Sequence, residues 1–197
     1  IGGKALWTKE LERALLDDQI DIAVHSMKDV ETVRADIFDI SAMLPRADVR
    51  DRLIGAASLD DLKHGARVGT SSPRRAAQLL RARPDVQIVP LRGNVATRLA
   101  HIENGHADAT LLAAAGLDRL DMHDVGAPLP LSQFLPAASQ GAVGIDRLTS
   151  RKELVPFLAA INDVDTFAAV QAERALLEAL GGNCHSPIAA LAQVEGA

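Results

Sequence analysis

Apolar residues near the start of the chain recur four apart, at Trp7, Leu11 and Leu15, among charged neighbours. That spacing puts them on one face and predicts an amphipathic helix over Trp7 to Leu16. The pattern then changes. IDIAV, Ile20 to Val24, is a short apolar run rich in β-branched residues and reads as a buried strand, with HSMKDV leaving it as a loop. ARVGTSS reads as a second strand running into a turn, and Pro73 stands at the first helical position, where its missing N–H costs nothing. VQIVPL, Val86 to Leu91, is a third strand. Arg92-Gly93-Asn94 turns into a helix capped by Asn94 and running to about Glu103; Asn104-Gly105 ends it, and DATLLAA is the next strand. From Ala66 to Ala114 the order is therefore strand, helix, strand, helix, strand, which predicts an α/β fold with a parallel, doubly wound sheet.

The remaining pattern is less regular. PLPLSQFLPAASQG holds Pro128, Pro130 and Pro136 and reads as a connection. ELVPFLAAINDVDTFAAVQAERALLEAL predicts two helices broken near Asn162 to Asp165. GGNCHSPIAALAQV predicts a loop followed by a short strand. The opening, IGGKALWTKELE, reads as the middle of a chain whose natural N-terminus is missing.

Composition adds limits. A chain of 197 residues with 48% hydrophobic content can bury a core for one large or two modest domains. A net charge of -5, no Tyr and one Trp argue against a nucleic-acid partner, because both a basic surface and stacking platforms are lacking. No apolar run approaches the ~20 residues of a membrane span. One cysteine excludes an intrachain disulfide framework. The six histidines show no metal-ligand spacing, so no metal is expected. These features together predict a cytoplasmic protein.

Charge is uneven, and this changes the picture. Arg67, Arg74, Arg75, Arg81, Arg83, Arg92 and Arg98 crowd the stretch from Ala66 to Ile102, against one acid, Asp85. Arginine grips carboxylate and phosphate through a planar fork. Ser71, Ser72, Arg74 and Arg75 lie where one predicted strand meets its helix, and Arg92, Asn94 and Arg98 where the next one does. In a parallel sheet those turns share a rim, where helix N-termini favour an anion. A solvated helix face is the plainer reading of the same arginines.

Two further spots could carry chemistry. In HSMKD, Ser26, Lys28 and Asp29 leave a strand together. Lys28 and Asp29 read either as an ordinary ion pair or as a site whose carboxylate steadies a developing cation. His25 is either packed beneath the loop or active. Cys184 is either a buried small hydrophobe or, in a glycine-bounded loop beside His185, an exposed nucleophile or attachment point. Neither a Walker motif nor a GxGxxG is present.

HSMKD, VGTSSPRRAAQL, LRGNVATRL, AAAGLDRL, PAASQGAVGI and GGNCHSPIA occur in the order found in the porphobilinogen deaminase (hydroxymethylbilane synthase) family, which the chain resembles over nearly its whole length. KALWTKELE is similar to the family's KGLFTKELE-type segment, with Ala5 and Trp7 departing from it, and Glu31 stands where a proline is common. The family's first strand and much of its C-terminal domain have no counterpart here. The resemblance implies a transferase that condenses four porphobilinogen units into linear hydroxymethylbilane, releasing ammonia each time, in tetrapyrrole (haem) biosynthesis. It implies a covalent dipyrromethane primer in thioether linkage to Cys184, and Asp29 as the catalytic carboxylate. It implies that Arg74, Arg75, Arg92, Arg98 and Arg119 hold acetate and propionate groups, and that Ser26, Lys28, Thr70, Ser71, Ser72, Gly93 and Gln140 line the site. It also implies a monomer with two doubly wound, periplasmic-binding-protein-like lobes and a small, incomplete α+β C-terminal domain. Residues 1–44 with 142–160, 50–135 and 165–197 would form these three domains, with hinges at Ala47 to Val49 and Pro136 to Gly141. The rival reading is a non-catalytic protein of the same fold that binds small carboxylates or oxyanions and gives Cys184 no role.

Overall fold

In the computed structural model, which describes residues 4–183 and 185–196, the elements run in the order α1 (Lys4–Leu16), β1 (Ala23–Ser26), a 3-10 turn (Met27–Asp29), β2 (Phe38–Met43), β3 (Asp51–Ile54), β4 (Arg67–Gly69), α2 (Pro73–Ala82), β5 (Gln87–Val89), α3 (Val95–Glu103), β6 (Ala109–Ala113), α4 (Ala114–Asp118), β7 (Ala127–Pro128), β8 (Val143–Leu148), a 3-10 turn (Lys152–Leu154), α5 (Val155–Ile161) and α6 (Val164–Ala179). The chain divides into two compact units. One comprises the described residues within 1–47, 138–184 and 190–197; the other comprises 48–137 and 185–189.

The first unit is built on a three-stranded antiparallel sheet in the order β1-β8-β2. Strand β1 is half buried: Ala23 and His25 point inward, Val24 and Ser26 outward. It starts later than the apolar run IDIAV suggests and takes in His25 and Ser26, so the expected loop begins only at Met27. Gly144 of β8 lies under that turn. A Cβ built there would stand 2.2 Å from the Met27 Sδ, so only glycine lets the buried Met27 seat itself. Met27, Val30, Met43, Ala142 and Val170 make the core behind the turn. The two C-terminal helices break at Asn162-Asp163, as expected. Asp163 caps α6 by accepting from the Thr166 N–H at 2.8 Å. No strand follows the glycine loop: residues 188–196 have no regular structure, and the Ala192 N–H donates instead to the buried Glu173 carboxylate at 2.9 Å. A partner side chain on a helix thus takes the donor that a sheet would have used.

The second unit carries a five-stranded sheet in the order β5-β4-β6-β3-β7. Strand β4 runs parallel to both β5 and β6, which is the doubly wound pattern expected from the sequence. Two antiparallel strands, β3 and β7, extend it on one side. They escape a periodicity reading because β3 is four residues with charges at Asp51 and Arg52, and β7 is two residues ending on a proline. Leu53, Val68, Leu79, Leu111, Leu129 and Phe134 are among the buried side chains that fill the space between the sheet and its coverings. The α/β architecture predicted from the pattern is the one observed.

Candidate active site

The parallel strands β4, β5 and β6 bring three strand-to-helix turns to one edge of the second unit. At the first, Ser72 accepts from the Arg75 N–H at 3.4 Å as the α2 N-cap, and Pro73 follows at the first helical position. Thr70 is buried and its hydroxyl accepts from the Ser72 N–H at 3.1 Å; the Ser71 hydroxyl donates to the Leu91 carbonyl at 3.1 Å. The hydroxyls of this turn therefore build the helix start. At the second turn, Asn94 caps α3 by accepting from the Thr97 N–H at 2.9 Å. Gly93 has φ of +111°, and a Cβ there would lie 2.7 Å from Thr97. Arg98 donates from Nε to the Gly93 carbonyl at 2.9 Å, which folds its side chain back over the turn, while Arg92 is exposed. At the third, Arg119 is exposed at the far end of α4 rather than on the turn itself.

Arg74 and Arg75 do not form an open rim. Their side chains are 5% and 8% exposed and converge on Asp51, which is fully buried. Arg75 donates to one Asp51 oxygen at 2.7 Å and to the Leu111 carbonyl at 2.9 Å. Arg74 donates to the other Asp51 oxygen at 2.8 Å and to the Leu135 carbonyl. Burial alone would push the Asp51 carboxyl up, but the Arg75 and Arg74 charges more than reverse this and hold it well below the usual carboxylate range. Burial pushes the Arg74 guanidinium down, only partly offset by Asp51. Among the described residues, two cations here meet the one carboxylate of Asp51, which leaves a positive charge in excess at the α2 N-terminus, where the helix dipole adds to it. Asp51 is the partner of both arginines that the sequence pattern does not reveal. It lies 23 residues from Arg74 and enters through an antiparallel strand whose pairing no local pattern shows.

The first unit holds the other candidates. Asp29 closes the 3-10 turn after β1, half buried, with Lys28 beside it and Ser26 exposed before it. Asp29, Ser26 and His25 line a cavity of about 190 Å³ with Thr8 and Leu11 of α1 and with Val24 and Val30. His25 is packed beneath the loop, 6% exposed, with Nε2 at ion-pair distance, 3.3 Å, from Asp146. Asp146 lies on the middle strand, is wholly buried, and also meets Arg34, which reaches on to Glu12 of α1 at 3.0 Å. Through Arg34, ion pairs thus tie Glu12 of α1 to Asp146 of β8, opposite Ala23 at the start of β1. Gln140 is buried and its carbonyl accepts from Arg46 at 3.0 Å. Cys184 lies outside the described residues. Helix α6 ends just before it: Gly181 adopts φ of +61°, and the Gly181 and Gly182 N–H groups close onto Glu178 and Leu177 at 2.8 Å, which caps the helix.

Residues 1–155 match the family model described as "Porphobilinogen deaminase, dipyromethane cofactor binding domain", and residues 167–197 match the C-terminal domain of the same family. The chain belongs to the porphobilinogen deaminase family. It is 59% identical over 198 residues to porphobilinogen deaminase of Sphingopyxis alaskensis, with 98% of this chain and 63% of that protein covered. It is 50% identical over 200 residues to the Paracoccus denitrificans protein of the same name, covering all of this chain and 64% of that one. The chain thus spans just under two thirds of the length of these relatives. Among solved structures, a putative methionine-binding lipoprotein from Bacillus subtilis is similar at 13% identity and a TM-score of 0.51, covering 78% of this chain and 74% of that one. That likeness concerns the fold, a binding-protein type of α/β lobe.

Proposed function

We propose that this chain is the greater part of an enzyme that polymerises four porphobilinogen units into linear hydroxymethylbilane with loss of ammonia, using a dipyrromethane primer joined to Cys184. Each ring of primer and product carries two carboxylates, so the growing chain needs many cationic contacts. The observation that carries the reading is the surplus positive charge where Arg74 and Arg75 share the single carboxylate of Asp51 at a helix N-terminus. It suits the acidic side arms of the primer and supports the fit of that group to this chain. When bound, the dipyrromethane supplies a nucleophilic pyrrole carbon that starts the polymer.

The remaining chemistry falls to side chains of this protein. Arg92, Arg98 and Arg119, with Arg74 and Arg75 behind them, bind acetate and propionate groups of primer and substrate. Thr70, Ser71, Ser72 and Gly93 shape the two helix starts that face those groups. Asp29 accepts N–H bonds from a pyrrole and lowers the energy of the cation left on the substrate when ammonia departs, electrostatic stabilisation placed where charge develops. Ser26, Lys28 and Gln140 supply polar contacts at that position. The full-length enzyme acts as a monomer in the cytoplasm, without metal, membrane or nucleic acid, and residues 165–197 begin its cofactor-bearing domain. A non-catalytic binder of the same fold would leave Cys184 unmodified.

Intact-mass measurement on full-length protein tests this. An adduct of dipyrromethane size that is lost in Cys184→Ala supports the enzyme. An unmodified mass on folded, full-length protein overturns it in favour of the binder.

A further inference from the structure

Helix α6 reaches back to the loop that follows Asp29. Arg174 donates to the carbonyls of Val30 at 3.3 Å, Glu31 at 2.6 Å and Thr32 at 3.3 Å. Three consecutive carbonyls on one guanidinium make a grip suited to a planar fork of donors; an ammonium would have to gather all three around a single nitrogen. The cation is kept there against opposition: burial, and then the like charge of Arg34, push the Arg174 guanidinium below its ordinary range. Behind the loop lies a polar cavity of about 220 Å³ lined by Thr32, Arg34, Asp36, Asp39, Gln171 and Arg174, among others. Val30 packs into the core behind the turn, but Glu31 is exposed and Thr32 half-buried beside this cavity, so the guanidinium holds the loop beyond the point where apolar contacts do.

The same helix leads to the proposed tether. Its last turn ends at Ala179 and is capped at Gly181, three residues before Cys184. We infer that Arg174 is a positioning residue that fixes the register between the Asp29 turn and the segment carrying Cys184. This rests on the reading of Asp29 and Cys184 given above. Among the described residues the hydrogen bonds of Arg174 go to backbone carbonyls of the loop, so it acts through the loop. A tethered polymer makes register matter, since one carboxylate must serve each successive addition, and a misplacement of ~1 Å costs on the order of 100-fold in rate.

The test uses full-length protein with Arg174→Lys and Arg174→Gln, read by hydrogen exchange, intact mass and steady-state kinetics. Expected are amides of residues 28–33 exchanging at least ~10-fold faster, with those of β8 unchanged, because a local grip has been lost and not the fold. The Cys184 adduct is retained, kcat for porphobilinogen falls about 10-fold or more, and KM stays within about 2-fold. Unchanged exchange at 28–33, unchanged kcat, or a loss carried wholly by KM overturns the inference. So does loss of the adduct in both variants, which would give Arg174 a part in assembly instead. A wild-type protein that never consumes porphobilinogen defeats the functional reading, while the exchange arm still decides whether Arg174 holds the loop. Arg174→Lys keeps the stem and charge, so it decides the matter if Arg174→Gln does not fold.

Discussion

Asp51 accepts hydrogen bonds from two arginines at once, Arg75 at 2.7 Å and Arg74 at 2.8 Å, with all three side chains buried. Removing the carboxylate leaves two buried guanidiniums without a counter-charge. Asp51→Asn is therefore expected to lose about 3–5 kcal/mol of stability in denaturant titration. The pH dependence has a definite sign. The carboxyl is depressed in the fold from an ordinary value of 3.8, so its contribution is complete above about pH 4 and is lost as pH falls further. The stability gap between wild type and variant should shrink below about pH 4 and stay constant from pH 5 to 7.

Arg75 and Arg92 stand on neighbouring turns but should answer substitution differently. Arg75 is buried on Asp51, whereas Arg92 is exposed. Arg92→Leu is expected to change stability by less than about 0.5 kcal/mol while weakening primer loading or raising KM. Arg75→Leu should lose stability as well as loading. Equal stability of the two variants by thermal melting would contradict this division between a supporting arginine and a ligand-facing one.

Gly144 sets the seat of the Asp29 turn through its contact with Met27. A Cβ would meet the Met27 Sδ at 2.2 Å and Cγ at 2.9 Å, and Met27 is only 1% exposed, so it has little room to swing away. Gly144→Ala is expected to cost about 1–3 kcal/mol by overpacking. Turnover should fall with it, since the turn must shift. A stable, fully active variant would show that the turn is less constrained than its packing implies.

What the sequence showed and hid follows from the range of each interaction. Helices α2, α3 and α6 were legible from local signals, Pro73 at the first helical position, Asn94 as a cap and the break near Asn162 to Asp165, each of which acts over a few residues. The parallel core β4-β5-β6 was legible from alternation of strands and helices. Strands β2, β3, β7 and β8 were not, because they are short or interrupted by charge: Asp39, Asp51, Asp146 and Arg147 sit within them. Two of those charges turn out to be the centres of separate buried ion-pair groups, Asp146 with Arg34 in the first unit and Asp51 with Arg74 and Arg75 in the second. The strand expected after Cys184 failed because Glu173, not a neighbouring strand, takes the Ala192 N–H. His25 is buried, 3.3 Å from Asp146, and also lines the cavity beside Asp29. The motifs named the family; which arginine is a support and which is exposed depended on contacts across 20 residues or more, such as Asp51 with Arg74 and Arg75.

In the proposed function one carboxylate, Asp29, steadies the cation formed at each addition while guanidiniums elsewhere hold the acidic arms. Steady-state kinetics of full-length Asp29→Asn, on protein whose mass confirms the Cys184 adduct, tests it most directly. The amide keeps the shape and loses the charge, so kcat is expected to fall by about 100-fold or more with KM within a few-fold. A kcat near wild type, or a loss expressed only in KM, would contradict the role assigned to Asp29.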